Sequence, residues 1–173
     1  MRLTKCRICR TPFKKVSISH KDCGPACAIE GLKIDKAKKQ RKEYLSEKKR
    51  LKSRREWLKD VQTVVNQYVR LLEAGKPCIS CQRMHKGQMH AGHYLSVGAR
   101  PELRFELDNI SLQCAPCNNH LSGNIALYRI NLIKKIGLER VEWLEGPHEP
   151  KKWTIPQLIE LHELYKAKIK GLR

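Results

Sequence analysis

Apolar residues recur along this chain with a helical period in some stretches and almost vanish in others. Trp57, Leu58, Val61, Val64, Val65, Tyr68, Leu71 and Leu72 return at three- and four-residue intervals, the pattern of a helix with one apolar face. Residues 33–55 carry 12 basic and three acidic side chains, interrupted only by Ile34, Tyr44, Leu45 and Leu51. Those four make no wide stripe, so a helix there sits in solvent or on a polyanion. Proline is absent from 28 to 75, and glycine is absent between Gly31 and Gly75. This predicts one long helix or two in tandem, stopped by Gly75 and Pro77. Short strand-like pieces follow near 89–95 and 103–112. A helix is expected from Asn118 to about Ile136, with Ile125, Leu127, Tyr128, Leu132 and Ile133 as core and Gly137 as its end. Short and long helices at 138–145 and 155–170 close the chain, and Thr154 with Gln157 has the spacing of a capping box. The implied segments are 1–30, a basic helix 31–56, an amphipathic helix 57–76, a compact core 77–137 and C-terminal helices 138–173.

Composition changes this picture in one respect. The chain has 173 residues, 31% charged and only 6% aromatic, too few large apolar side chains for one big core. A small core stapled by metal, with exposed helices, fits better. The net charge of +19 points to a polyanionic partner, nucleic acid first, because each phosphate neutralised releases counterions. Lys38, Lys39, Arg41, Lys42, Lys48, Lys49, Arg50, Lys52, Arg54 and Arg55 are the candidate phosphate contacts. Such contacts read phosphate placement and DNA shape rather than bases. No apolar run is long enough to cross a membrane. The opening "MRLTKCRICR" lacks an apolar stretch after its charges, so it does not read as a secretory signal.

Without an export signal the eight cysteines are expected to stay reduced, and their spacing points to metal. Cys6, Cys9, Cys23 and Cys27 make C-x2-C-x13-C-x3-C, and Cys78, Cys81, Cys114 and Cys117 make C-x2-C-x32-C-x2-C. Each tight turn aims two sulfurs at one ion, and two turns complete a tetrahedron. Two structural Zn²⁺ ions are therefore expected. A four-thiolate site has no open position, so any reaction needs other residues.

Those residues lie inside the second set. His90 and His93 are three apart, so on a regular strand they face opposite sides; a bulge at Gly92 would let both reach one ion. Asp108-Asn109 precedes the apolar "ISL", where Asn commonly fixes a loop. Asn118 directly follows Cys117, and its amide oxygen is a hard donor suited to Mg²⁺ or Mn²⁺. A His on a strand, an Asn in the returning loop and a polar ligand at a helix start make a ββα-metal arrangement. His120 reads as DNA-facing.

Cys78, Cys81, His93, Asn109, Cys114, Cys117 and Asn118 together resemble the HNH (ββα-metal) nucleases, in the branch of endonuclease VII of T-even phages, where two Cys-x-x-Cys pairs flank the motif. One position departs: that branch has a metal-binding Asp before the base His, and here it is Gly92. "CRICRTPF", "PCISCQRMHKGQMHAGHYLSVGA" and "QCAPCNNHLSGNIALYRINLIKKIGLERVEWLE" are similar to the NinG (Rap) family of lambda-like phages, over nearly the whole chain.

The resemblance implies an α+β, mostly helical protein. It would have a zinc-stapled HNH-like nuclease core, a long basic N-terminal helix and a small N-terminal zinc knuckle. It implies a structure-selective endonuclease acting on Holliday junctions and D-loops in the cytoplasm of a bacterial host. His93 would be the general base and Asn109 the loop-orienting residue. Asn118 would hold a catalytic Mg²⁺ or Mn²⁺; His90 is the expected second ligand in place of the missing acid, with Asp108, His120 or water as the alternatives. The rival is a zinc-stabilised, non-catalytic DNA-binding recombination mediator, and Gly92 favours it. A third reading recruits recombination proteins of phage or host through the 57–72 face. That face could also pair two chains as a homodimer or pack on its own domain.

Overall fold

A computed structural model describes residues 3–172, apart from the side chain of Lys49; the expected phosphate contact at Lys49 lies outside the described residues. The chain divides into two compact units, one running to Lys52 and one from Ser53. No described helix is long and apolar enough to cross a membrane.

In the first unit, β1 (Thr4–Lys5) and β2 (Pro12–Phe13) form a small antiparallel hairpin. Its turn carries Cys6 and Cys9 and passes through Arg10 in the left-handed region at φ 64°. Helix α1 (Pro25–Arg50) starts on a proline, whose missing N–H costs nothing at a helix start. Arg7 ties hairpin to helix, donating to Asp22 at 2.8 Å and Asp35 at 2.7 Å. Its guanidinium lies over Gly31, where a Cβ would come within 2.2 Å of Nη2. Beyond Gly31 the described side chains of α1 are all exposed, as expected from their lack of an apolar stripe.

The basic segment does not run on to residue 56. The chain breaks at 51–53, and Ser53 caps a new helix, α2 (Arg54–Leu72), through a reciprocal capping box with Glu56. Arg54 and Arg55 thus belong to the first turn of α2. Trp57, Val61, Val64, Val65 and Val69 of α2 pack with Leu158, Tyr165 and Ile169 of α5 (Ile155–Gly171). The apolar face is thereby covered within its own unit from Trp57 to Val69, while Leu71 and Leu72 at its end stay exposed. The capping box at Thr154 and Gln157 forms as expected.

Strands β3 (Met89–His93) and β4 (Ile110–Cys114) pair antiparallel in unbroken register from Met89↔Cys114 to His93↔Ile110. Gly92 makes no bulge, so the expected route for bringing His90 and His93 to one side is absent. Ala91 and Ile110 join the α2–α5 core. Helices α3 (Ile125–Ile136) and α4 (Leu138–Glu145) build a second core from Tyr128, Leu132, Val141 and Leu144 with Ile79, Tyr94 and Leu103.

Two element expectations need correction. Residues 103–109 are not strand. The segment makes two short helical turns, Pro101–Leu103 and Leu107–Asn109, and the alternation of Leu103, Phe105 and Leu107 serves a folded loop. The helix expected from Asn118 is split. Pro116–His120 is one wide helical turn. The chain then passes through Ser122, Gly123 and Asn124, all left-handed at φ 48°, 88° and 47°, before α3 begins. With the helix restarted there, Tyr128 and Leu132 are buried, while Ile125 and Leu127 face outward.

Candidate functional site

The sulfurs of Cys6, Cys9, Cys23 and Cys27 lie within 4.8 Å of one another, as do those of Cys78, Cys81, Cys114 and Cys117. A tetrahedral zinc thiolate site requires sulfurs about 3.8 Å apart, so both clusters could hold such an ion. Four thiols this close resist joint ionisation without a cation. Hydrogen bonds with Cys9 and Cys27 push Cys23 up to about 12. Burial, helped by the neighbouring sulfurs, pushes Cys114 up to about 12. His85, which carried no signal in the sequence, places Nε2 3.3 Å from Cys81 Sγ.

The second cluster fixes the Met89–Cys114 end of the strand pair and the start of the helical turn. Cys114 ends β4, and Cys117 sits in the turn that presents Asn118. Beside them opens a cavity of about 460 Å³, lined by His93, Tyr94, Asn118, Ser122 and Gly123 among others. The structure thus brings His93 and Asn118 to one cavity.

His93 Nε2 lies 3.0 Å from the Arg104 carbonyl. A carbonyl only accepts, so Nε2 carries the proton and Nδ1 keeps its lone pair. Burial lowers the pKa of the ring, outweighing the opposite pull of that carbonyl. The imidazole is therefore held neutral, in one tautomer, near neutral pH.

Asn109 is fully buried and straps the loop that supplies the Arg104 carbonyl. Its Oδ1 accepts from the Leu95 N–H at 2.8 Å, and its Nδ2 donates to the carbonyls of Leu95 at 3.0 Å and Leu103 at 3.3 Å. Its own carbonyl accepts from the Tyr94 N–H at 2.8 Å. Asn109 lies in the loop that turns back towards His93 without touching the cavity.

Asn118 Nδ2 donates to Asn119 Oδ1 at 2.8 Å, which turns Asn118 Oδ1 the other way, towards Gly92. A Cβ built on Gly92 would lie 3.0 Å from that oxygen and 2.1 Å from Gln113 Oε1. The Gln113 amide thus fills the room over Gly92 with Asn118 Oδ1 beside it, two amide oxygens of the kind that suit a hard divalent cation. Neither His90 nor Gln113 is among the residues lining the cavity. His90 shares the Gly92 face of β3, and its Nε2 is buried without a partner. Asp108 is held by Arg140 at 2.6 Å, and His120 is exposed. Lys38, Lys39, Arg41, Lys42, Lys48 and Arg50 are exposed along α1, with Lys52 half-buried after it and Arg54 and Arg55 exposed in α2.

Residues 1–173 match the family model described as Bacteriophage Lambda NinG protein. The chain belongs to the NinG family. It is 42% identical to protein ninG of Escherichia phage 933W over 123 residues, covering 71% of this chain and 61% of that relative. Protein ninG of Escherichia phage lambda is likewise 42% identical, with 60% of its length covered, and that of Salmonella phage P22 is 41% identical, with 61% covered. The matched stretch thus spans about three-fifths of the length of these curated relatives. No solved structure matches the chain.

Sequence reasoning passed over one residue of this NinG-family site. Gln113 is fully buried, and its Nε2 donates to Ser80 Oγ at 2.7 Å and to the Gly123 carbonyl. Ser80 Oγ also donates to that carbonyl, at 3.1 Å. The left-handed turn at 122–124 is what aims the carbonyl inward. The available signal was the polar pair Ser111 and Gln113 alternating inside β4, which is buried along its whole length.

Proposed function

We propose that this chain is a metal-dependent endonuclease with an HNH-like ββα-metal core that hydrolyses phosphodiester bonds in branched DNA. The observation carrying the reading is the His93 imidazole, whose Nε2 is committed to the Arg104 carbonyl beside a cavity it shares with Asn118. A base with its second nitrogen so anchored points one lone pair and needs no tautomer change to work.

In this reading His93 Nδ1 takes a proton from water as the water oxygen bonds to phosphorus. The P–O3′ bond breaks, leaving a 5′ phosphate and a 3′ hydroxyl that is protonated from solvent. Asn109 keeps the 94–109 loop closed and so positions the Arg104 carbonyl that orients His93. Asn118 would hold a Mg²⁺ or Mn²⁺ ion, whose chemistry is to offset charge on the phosphorane and the leaving oxygen. The exposed lysines and arginines of α1 would bind phosphates without reading sequence. Branched recombination intermediates such as Holliday junctions and D-loops are the substrates that the family resemblance favours.

A second reading rests on Gly92. With no acid at that position, the chain would be a zinc-stabilised DNA-binding recombination mediator that does not cut. End-labelled four-way junction and matching linear duplex, incubated with the purified chain in Mg²⁺, Mn²⁺ or EDTA, separate the two. Cleavage of the junction in either metal and none in EDTA is expected. Tight binding with no cleavage in any metal leaves only the mediator.

A further inference from the structure

Two buried polar atoms without a hydrogen bond, Gln113 Oε1 and His90 Nε2, belong to residues directly paired across β3 and β4. Orphaned buried polar atoms are rare, because each gives up its hydrogen bonds to water without replacement. Gln113 cannot relieve its orphan by flipping its amide. Nε2 already faces the Gly123 carbonyl and Ser80 Oγ, and a flip would set oxygen against the carbonyl oxygen. Oε1 is therefore fixed on the Gly92 side, filling the room a Cβ there would need: it lies 2.1 Å, and Asn118 Oδ1 3.0 Å, from the Cβ position of Gly92.

We propose that Gln113 Oε1 and Asn118 Oδ1 are paired neutral amide ligands for a divalent cation, in the place an acidic side chain at position 92 would occupy. This rests on the nuclease reading and says how the site works without that acid. Gly92 is then a requirement of the site, since any side chain there meets Gln113 Oε1 at 2.1 Å. The pairing has a consequence for affinity. Two amide oxygens bring no negative charge, so the cation is balanced by the DNA phosphate, and cation and DNA strengthen each other's binding.

Two measurements test this on the zinc-loaded full chain, in a His93→Ala background so that DNA stays intact. First, Mg²⁺ is titrated into ¹³C-labelled protein bound to a four-way junction. The side-chain carbonyl carbons of Gln113 and Asn118 are expected to shift together. Second, Mn²⁺ affinity is read by electron paramagnetic resonance with and without the junction. DNA is expected to tighten Mn²⁺ binding by roughly tenfold or more, and Gln113→Ala to weaken it by roughly tenfold or more. Gly92→Asp with Gln113→Ala, which exchanges the amide for an acid, is expected to bind Mn²⁺ without DNA more tightly than the parent. A shift at Asn118 alone, or parental Mn²⁺ affinity in Gln113→Ala, overturns the amide pair; metal-dependent cutting by the unmutated chain would then leave the nuclease reading standing. No shift at either carbon, together with no metal-dependent cutting by that chain, overturns both.

Discussion

Replacing Asn109 by Asp changes one atom in a fully buried side chain and gives a cost that can be worked from its contacts. The oxygen that accepts from the Leu95 N–H is retained, but the donor facing the Leu95 and Leu103 carbonyls becomes an acceptor. The variant has two ways out. It can stay ionised, losing two hydrogen bonds at about 1 kcal/mol each and burying a carboxylate against two carbonyl oxygens. Or it can protonate and donate one bond. At pH 7 protonation costs about 4 kcal/mol for a carboxyl that titrates near 3.9 when unfolded, and the lost second bond adds about 1. The destabilisation is therefore about 3–5 kcal/mol at pH 7, capped by the protonation route. Burial raises the folded-state pKa of this carboxyl, so the penalty is full at high pH and fades as pH falls towards the unfolded value. At pH 5 it should shrink to about 2–3 kcal/mol. Urea unfolding of zinc-loaded parent and variant at both pH values reads this out as a midpoint about 1–3 M lower at pH 7, with a gap that narrows on acidification. A cost below about 1 kcal/mol at pH 7, or one that does not change with pH, would show that Asn109 does not strap the loop.

Zinc analysis of the purified chain should find two ions per molecule, and Cys78→Ser should lower that to one while costing the second unit its cooperative unfolding, because structural zinc contributes on the order of 10 kcal/mol. Cleavage rate should rise with pH with unit slope and level off with a midpoint below the ordinary imidazole value of about 6.5, since burial lowers the pKa of His93; a midpoint above 7 would exclude this ring as the base. Junction affinity should fall steeply with salt, and exchanging Lys38, Arg41 and Lys42 for Gln should flatten the slope of log K against log salt by about three. An unchanged slope would remove α1 from the DNA interface.

Cysteine spacing and helix caps were readable before any coordinates, because each is set within a few residues. The turns of Cys6-x-x-Cys9 and Cys78-x-x-Cys81 place their sulfurs together, and the box at Thr154 starts its helix; the equivalent box at Ser53 and Glu56 was passed over inside the basic run. What the sequence hid depends on distant partners. The wide turn at Pro116–His120 and the left-handed passage at 122–124 break a helical pattern that looks continuous, and Gly123 carries the inward carbonyl that orients Gln113. The 103–109 alternation suits a strand locally, yet Asn109 satisfies the carbonyls of Leu95 and Leu103 and so folds the segment as a loop. The bulge that was to bring His90 and His93 to one side does not form, so the regular strand sets them on opposite faces. That Gly92 makes room for the Gln113 amide beside Asn118, and makes no bulge, required the helix and the hairpin to be seen together.

The central claim concerns one imidazole, and single-turnover cleavage of a labelled four-way junction by the parent and by His93→Ala, at saturating protein and Mn²⁺, tests it most directly. The rate should fall by about 10²–10⁴-fold in the variant, while junction affinity in a gel shift stays as in the parent. Equal rates would contradict the account.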